Sequence, residues 1–324
     1  MNPEVQRIVD VSKNLKSAVI ISHENPEGDA LGSSLAWAMA LEQGGAKTYV
    51  YNPDDVPKNL RFLPCAERIK SSFDELDFVP EAVFVVDCGQ PVRMGNEAMR
   101  RFLDHPLLIN IDHHPTNPRF GKINWVEPDA SSAGEMIYEL IRAMGRNIDR
   151  DMALNIYVAI VVDTRSFQNA NTTLDALEIC CELTRRYGFT PGDIAQKVFF
   201  TQSYNRLKLL GEALRGVELY KDGKIAVMVI TLEMMAKSGT EVEDLEGFAE
   251  ELRTIEGVKL GIMLREEPDG KVKISLRSDG HFDVSTYAKK FGGGGHCRAA
   301  GATLDGPIEK VKDMLVGELS ELIG

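Results

Sequence analysis

Four places in the chain set acids or imidazoles directly after an apolar run. SAVIIS (17–22) is followed at once by His23, Glu24, Glu27 and Asp29. AVFVVD (82–87) ends in Asp87, and LLINID (107–112) ends in Asp112 with His113 and His114 next. NIYVAIVVD closes on Asp163. Carboxylates mixed with imidazoles, without thiolates, suit Mn²⁺, Mg²⁺ or a similar ion better than structural zinc. Two such ions roughly 3.5–4 Å apart clamp and activate a water for attack on phosphorus. Holding the pair takes several carboxylates, at least one of them bridging. Left unneutralised, an acidic cluster of this kind is costly to take out of water, and cations remove that cost.

Each residue also has a plainer reading. His23 and Glu27 could be an i, i+4 surface pair. Asp29 stands where a helix N-cap would stand. Asp87, before Cys88-Gly89, could be a turn residue, and Asp163 a helix end. Two adjacent imidazoles straight after a buried strand are harder to assign to packing alone. The joint pattern carries the argument, and Glu24 reads as a solvated neighbour.

The elements that must position these groups alternate. Unbroken apolar runs suit parallel strands covered on both faces, although short runs resemble buried helix. Strands are expected at 17–22, 47–52, 82–87 and 107–112. Helices are expected at 29–43 (stopped by Gly44-Gly45), 131–145, 151–162 and 172–187, with an amphipathic helix at the N-terminus. In an open parallel sheet, ligands bind outside the carboxyl ends of the strands, so neighbouring strands would bring the acids to one rim. The pattern changes after residue 188. Two short helices fill 188–213. Then come hairpins at 217–230, around Asp222-Gly223, and at 258–278, around Pro268-Asp269-Gly270. Helices are expected at 241–255, 283–290 and 307–323. The fold class is α/β: a mainly parallel sheet flanked by helices, plus a smaller α+β domain with an antiparallel or mixed sheet. The expected division is 1–187, a helical linker at 188–213, and 214–324.

The totals agree with this division. A chain of 324 residues exceeds the usual size of one core. The formal net charge of −12 argues against tracking long duplex nucleic acid, but leaves room for short, highly charged ligands held through metals or a local basic patch. No apolar stretch reaches the ~18 residues of a membrane span. The first residues, MNPEVQRIVDVSKNLKS, lack the regions of a signal peptide. A cytoplasmic protein with no membrane partner is expected. The five cysteines show neither C-x-x-C nor zinc spacing and read as reduced thiols.

His23-x-x-Pro26-x-x-Asp29, Asp87, Asp112-His113-His114 and Asp163-Thr164 resemble the four ordered motifs of the DHH phosphoesterase family. FGGGGHCRAAG (291–301), preceded by SLRS (275–278), is similar to the DHH-associated C-terminal domain. The resemblance covers nearly the whole chain and falls nearest the branch of nano-RNases and 3′-phosphoadenosine-5′-phosphate phosphatases. It implies two divalent ions, Mn²⁺ foremost with Mg²⁺ or Co²⁺ as alternatives, activating a hydroxide. His23 and Glu27 would hold one ion, Asp29 and His113 the other. Asp87 would bridge, and Asp163 would complete the set. His114 would donate to the scissile phosphate, with Asp112 orienting the histidine pair. The implied reaction cuts RNA oligomers of a few nucleotides to mononucleotides, and removes the 3′-phosphate of phosphoadenosine phosphate. Substrate would lie between the two domains, and a homodimer is the family expectation.

The second half supplies the implied substrate residues: Arg277, Ser278, Gly292, Gly293, Gly294, Gly295, His296 and Arg298. Arg277 is also expected at the catalytic centre. Successive glycines can turn backbone amides toward an anion, and the guanidinium of Arg277 suits a phosphate. Two positions depart from the family. Glu27 stands where Asp is usual, with one extra methylene. Arg165 follows Asp163-Thr164 where Gly is usual. Two other functions stay open: turnover of cyclic or linear dinucleotides in signalling, and a nucleotide-binding protein with a degenerate metal site.

Overall fold

A strand whose residues are all apolar has no face to offer water, so it must lie between two layers. Three wholly buried strands form the centre of the sheet of the first half in the computed structural model, which describes residues 2–323. The strands of the sheet are β1 (Ser17–Ile21), β2 (Lys47–Tyr51), β3 (Ile69–Lys70), β4 (Ala82–Val86), β5 (Leu108–Asp112) and β6 (Ile123–Val126), and the buried three are β1, β4 and β5. Every pairing is parallel, in the order β3-β2-β1-β4-β5-β6. The chain builds outward one way from β1 and the other way from β4. The order therefore reverses between β1 and β4, where doubly wound sheets open a crevice for ligand. His23 and Asp87 follow those two strands.

The helices of this half are α1 (Pro3–Ser12), α2 (Gly28–Glu42), α3 (Asn96–Phe102), α4 (Ala133–Ala143), α5 (Arg150–Asp163), α6 (Leu174–Tyr187) and α7 (Pro191–Phe199). α2 and α5 are apolar around nearly their whole circumference and are buried accordingly. They meet at glycines. A Cβ on Gly28 would stand 2.5 Å from Val162 Cγ2, and one on Gly32 only 2.4 Å from the Asn155 carbonyl oxygen. Two hydrogens in place of side chains thus bring the first turn of α2 against the last turn of α5.

Two compact units divide between Thr201 and Gln202. The expected linker at 188–213 does not stand apart. α7 buries Ile194 and Val198 in the core of the first unit, while α8 (Tyr204–Arg215) buries Leu209 and Ala213 in that of the second. Each helix has one apolar face, and each face is covered by its own unit.

The second unit continues with β7 (Glu218–Tyr220), β8 (Ile225–Ile230), α9 (Leu232–Ser238), α10 (Phe248–Glu251), β9 (Leu260–Glu266), β10 (Lys271–Ser278), α11 (Val284–Lys289), β11 (Gly294–His296), β12 (Ala299–Asp305) and α12 (Ile308–Leu322). The sheet order is β11-β12-β10-β9-β8-β7, with β8 and β9 parallel and all other neighbours antiparallel. The β7–β8 turn takes left-handed backbone at Lys221, Asp222 and Gly223. The expected helix at 241–255 is broken into a 3₁₀ turn (Val242–Leu245), α10 and another 3₁₀ turn (Leu252–Thr254). Gly247, at φ +83°, interrupts it. Among the described residues no helix is long and apolar enough to cross a membrane.

Candidate metal centre

The rim above β1, β4 and β5 collects the motif residues. His23 is 4% exposed. Its Nδ1 lies 2.7 Å from the Glu24 carbonyl oxygen, which leaves Nε2 facing Asp87 Oδ2 at 3.4 Å. The guanidinium of Arg93 reaches the same corner. Its Nη2 stands 3.2 Å from the Glu24 oxygen and 2.9 Å from His23 Nδ1, while the Arg93 carbonyl accepts from Glu24 N. The loop after β1 is thereby tied to the loop after β4.

Asp29 sits in the first turn of α2, and its side chain reaches across to the N-terminus of α4. Oδ2 accepts from Ala133 N at 2.7 Å and Oδ1 from Gly134 N at 2.8 Å. Free amides at a helix start favour an anion there. Gly134 permits the approach, since a Cβ at that position would lie 2.5 Å from Ala159 Cβ. Asp29 is therefore held by α4 and not used as a cap of its own helix. Glu27 occupies that N-cap position, half-buried, without a capping hydrogen bond.

Asp87 is 1% exposed and has left-handed backbone, φ +55°. Neither of its carboxylate oxygens accepts a hydrogen bond of ordinary length. Three imidazoles ring it instead: His23 Nε2 at 3.4 Å, His113 Nε2 at 3.5 Å and His114 Nδ1 at 3.7 Å. His113 also lies 3.6 Å from Asp29 Oδ2, and its Nδ1 leans on the Ala130 carbonyl at 3.4 Å. His114 Nδ1 bonds Asp112 Oδ1 at 2.7 Å. Asp163 ends α5, where Asn171 Nδ2 donates to its Oδ2 at 2.6 Å and to the Ser131 carbonyl at 2.8 Å.

The charges bear on one another. Burial, then the charge of Asp87, pushes the Asp29 carboxyl well above the usual range. Asp163 is pushed up to about 7 by burial and by Glu27 and Asp87, against the opposing pull of His113. At Asp87 burial also acts upward, but His113, His23 and His114 outweigh it and hold this carboxyl well below the ordinary value. For His113 burial acts downward and is outweighed by Asp163, Asp87 and Asp29. Asp29 and Asp163 thus favour a proton where no cation neutralises them, a mark of a site built around one.

The donor set fits that reading. Ligand atoms of His23, Glu27 and Asp87 lie within 4.8 Å of one another, as do those of Asp29, Asp87 and His113. The two groups share Asp87. A cation about 2.1 Å from each ligand spaces neighbouring ligand atoms about 3.0–3.4 Å apart. The observed 3.4–3.6 Å separations between imidazole and carboxylate are of that size, too long for hydrogen bonds. Buried oxygens with no donor, ringed by imidazole nitrogens, are what a bridging carboxylate needs. The longer side chain of Glu27 does not take it out of the group.

Arg165 has left-handed backbone at φ +48°, followed by Ser166 at +56° and Phe167 at +67°. A position that glycine adopts freely is here filled by Arg, at a cost of about 1–2 kcal/mol per left-handed residue. Thr164 braces the turn, its Oγ1 accepting from Phe167 N and its carbonyl accepting from Gln168 N and Asn169 N.

In the second unit the glycine run ends in a strand. Gly294, Gly295 and His296 form β11, paired with Gly301, Ala300 and Ala299 of β12. A Cβ on Gly293 would stand 2.1 Å from the Gly301 oxygen, and one on Gly295 2.4 Å from the Ala299 oxygen. These two glycines allow close strand approach. Gly292 keeps a left-handed turn at φ +73°. Arg277 Nε donates to Glu250 Oε1 at 2.6 Å, and Ser278 Oγ accepts from Gly280 N. The Arg298 guanidinium packs over Gly280, where a Cβ would lie 2.8 Å from it.

Three residues at the rim above β1, β4 and β5 carry no mark in the motif pattern: Arg93, Asn171 and Asn117. Asn117 Nδ2 donates to Asp112 Oδ2 at 2.6 Å. Its signal in sequence is slight, an amide three residues after His114.

The profile described as "DHH family, N-terminal domain" matches residues 17–160, and "DHHA1 domain" matches residues 222–323. A Thermus thermophilus protein named bifunctional oligoribonuclease and PAP phosphatase NrnA is 34% identical, spanning 94% of this chain and 89% of that protein. A Bacillus subtilis protein of the same name is 30% identical, spanning 88% of each. An exopolyphosphatase-related protein from Bacteroides fragilis superposes with a TM-score of 0.89 at 29% identity, over 99% of this chain and 98% of that one. With the strand-end acids gathered around Asp87 and both family domains in order, the chain belongs to the DHH family.

Proposed function

We propose that this protein is a metal-dependent phosphoesterase that hydrolyses short oligoribonucleotides to mononucleotides and 3′-phosphoadenosine-5′-phosphate to AMP. The observation that carries the reading is Asp87, a buried carboxylate without hydrogen bonds shared by two ligand groups. The names of the Thermus and Bacillus relatives support the substrate class. His23, Glu27 and Asp87 would hold one divalent ion and Asp29, Asp87 and His113 a second, with Asp163 beside them. Mn²⁺ is the first choice on ligand chemistry. When bound, such ions activate water and neutralise charge building on the phosphate. His114 Nδ1–H donates to Asp112 Oδ1, so Nε2 would donate to the phosphate oxygen in the protonated ring, a state that Asp112 and Asp87 favour over the opposing effect of burial. Arg277, Ser278, His296 and Arg298, with Gly292, Gly293, Gly294 and Gly295, are assigned to substrate binding in the second unit.

The test is a panel of two- to ten-nucleotide RNAs, linear and cyclic dinucleotides and phosphoadenosine phosphate, with Mn²⁺ and with Mg²⁺, on native protein and His113→Ala. Mononucleotide release from the shortest RNAs, lost in the variant, is the expected result. Exclusive turnover of cyclic dinucleotides would transfer the site to signalling. Tight nucleotide binding without any turnover would make it a degenerate site.

Glu27 carries a prediction of its own. Because its carboxylate already reaches His23 and Asp87, Glu27→Asp should change Mn²⁺ affinity by no more than about tenfold. Glu27→Ala, which removes the ligand, should weaken the first ion by about 100-fold or more. Calorimetric titration with Mn²⁺ compares the two.

A further inference from the structure

A buried carboxylate oriented on one side only can still turn about its own Cβ–Cγ bond. Asp112 is wholly buried, and its Oδ1 is engaged by His114 Nδ1 at 2.7 Å. What sets its plane is the other oxygen, which accepts from Asn117 Nδ2 at 2.6 Å. Asn117 is itself fixed on every side. Its second amide hydrogen goes to Asn110 Oδ1 at 2.7 Å, its Oδ1 accepts from Arg119 N at 2.7 Å, and its backbone N donates to the His114 carbonyl at 3.1 Å.

Asn110 anchors the chain of bonds. It is wholly buried in the middle of β5, where an amide is costly unless satisfied. Its Nδ2 donates to the carbonyls of Val85 at 3.2 Å and Cys88 at 3.4 Å, on either side of Asp87. Both partners only accept, so the amide has one orientation, and its oxygen must face Asn117. Asn117 in turn cannot be flipped, because its oxygen would then meet three acceptors, Asp112 Oδ2, Asn110 Oδ1 and the Cys88 carbonyl at 3.3 Å, and its nitrogen a backbone N–H. Gly89 closes the last freedom. A Cβ there would stand 2.9 Å from His114 Cβ.

We propose that Asn117 is a positioning residue: through Asp112 it fixes the His114 ring so that Nε2 meets the reacting phosphate. This rests on the donor role given to His114 above. Asp would set an acceptor against Asp112 and Asn110, and Ser has a single donor on a shorter stem.

The experiment uses the full chain with Mn²⁺ and an RNA dinucleotide, in Asn117→Ser, the isosteric Asn117→Asp, Asp112→Asn, and the double variant Asp112→Asn/Asn117→Ser. The kcat of Asn117→Ser should fall about 10–100-fold, with KM within twofold and Mn²⁺ stoichiometry unchanged. Asn117→Asp should be at least as slow. The double variant should be no slower than Asp112→Asn alone, because both act through one group. In the metal-free protein the Nδ1 proton resonance of His114, assigned by its loss in His114→Gln, should move upfield and exchange faster in Asn117→Ser. An unchanged kcat, losses that multiply in the double variant, a changed Mn²⁺ stoichiometry, or an unmoved resonance would each overturn the proposal. Should native protein turn over no substrate, the proposed function fails by itself, while the resonance still decides the role of Asn117.

Discussion

Asp87→Asn is expected to lower turnover of a dinucleotide by about a thousandfold or more. The substitution keeps the shape of the side chain and replaces one oxygen by a nitrogen that cannot ligate. In both candidate ligand groups the shared member is Asp87, so one change would disable both proposed ion sites. The ions contribute several kcal/mol at the reacting phosphate, and a loss of about 4 kcal/mol corresponds to a thousandfold. Binding should change in parallel. A cation at 100 times its dissociation constant raises stability by about 2.7 kcal/mol per site, so Mn²⁺ should raise the Tm of native protein clearly and that of Asp87→Asn hardly at all. Full activity in the variant would show that the carboxylate is a structural ion-pair member only.

Gly32→Ala should cost about 3 kcal/mol of stability. Helix propensity alone gives the opposite sign, since Ala exceeds Gly by about 1 kcal/mol in a helix interior. The added methyl, however, would lie 2.4 Å from the Asn155 carbonyl oxygen. That atom is backbone in the middle of α5, so relief requires the helices to part, and overpacking of this kind costs about 1–3 kcal/mol or more. Parting α2 from α5 also separates the end that carries Glu27 and Asp29 from the one that carries Asp163, so Mn²⁺ affinity should fall too. Gly317→Ala is the control. Gly317 is exposed on α12 with nothing within 4 Å of an added Cβ, and there Ala should stabilise by about 0.5–1 kcal/mol. Thermal or urea unfolding of the two variants reads both signs.

Much of this was legible in the sequence because strand and chemistry coincide there. Unbroken apolar runs announce parallel strands, and the candidate site residues stand at or just after their ends, so a reading of runs finds His23, Asp87 and Asp112 together. Whether Glu27 reaches the other site residues is not legible at that level. Its reach depends on α2 starting at Gly28, a packing outcome set by Val162 and Val158 around that glycine. Asn117 and Asn171 were hidden for a different reason. Each acts through hydrogen bonds made only after the loops fold back onto the sheet. Asn110 was hidden inside LINID, an apolar run whose one amide gives no periodic signal. Gly293 and Gly295 give no sign in sequence that they let two strands close up, which only the neighbouring carbonyls of Gly301 and Ala299 reveal.

The most direct measurement is a metal titration of the reaction. Protein stripped of metal is given Mn²⁺ in measured equivalents while cleavage of an RNA dinucleotide is followed. The expected curve is near zero without metal, low at one equivalent and level only at two, with Asp87→Asn flat throughout. Undiminished cleavage by the stripped protein in chelator, or a plateau at one equivalent, would contradict a two-ion centre shared through Asp87.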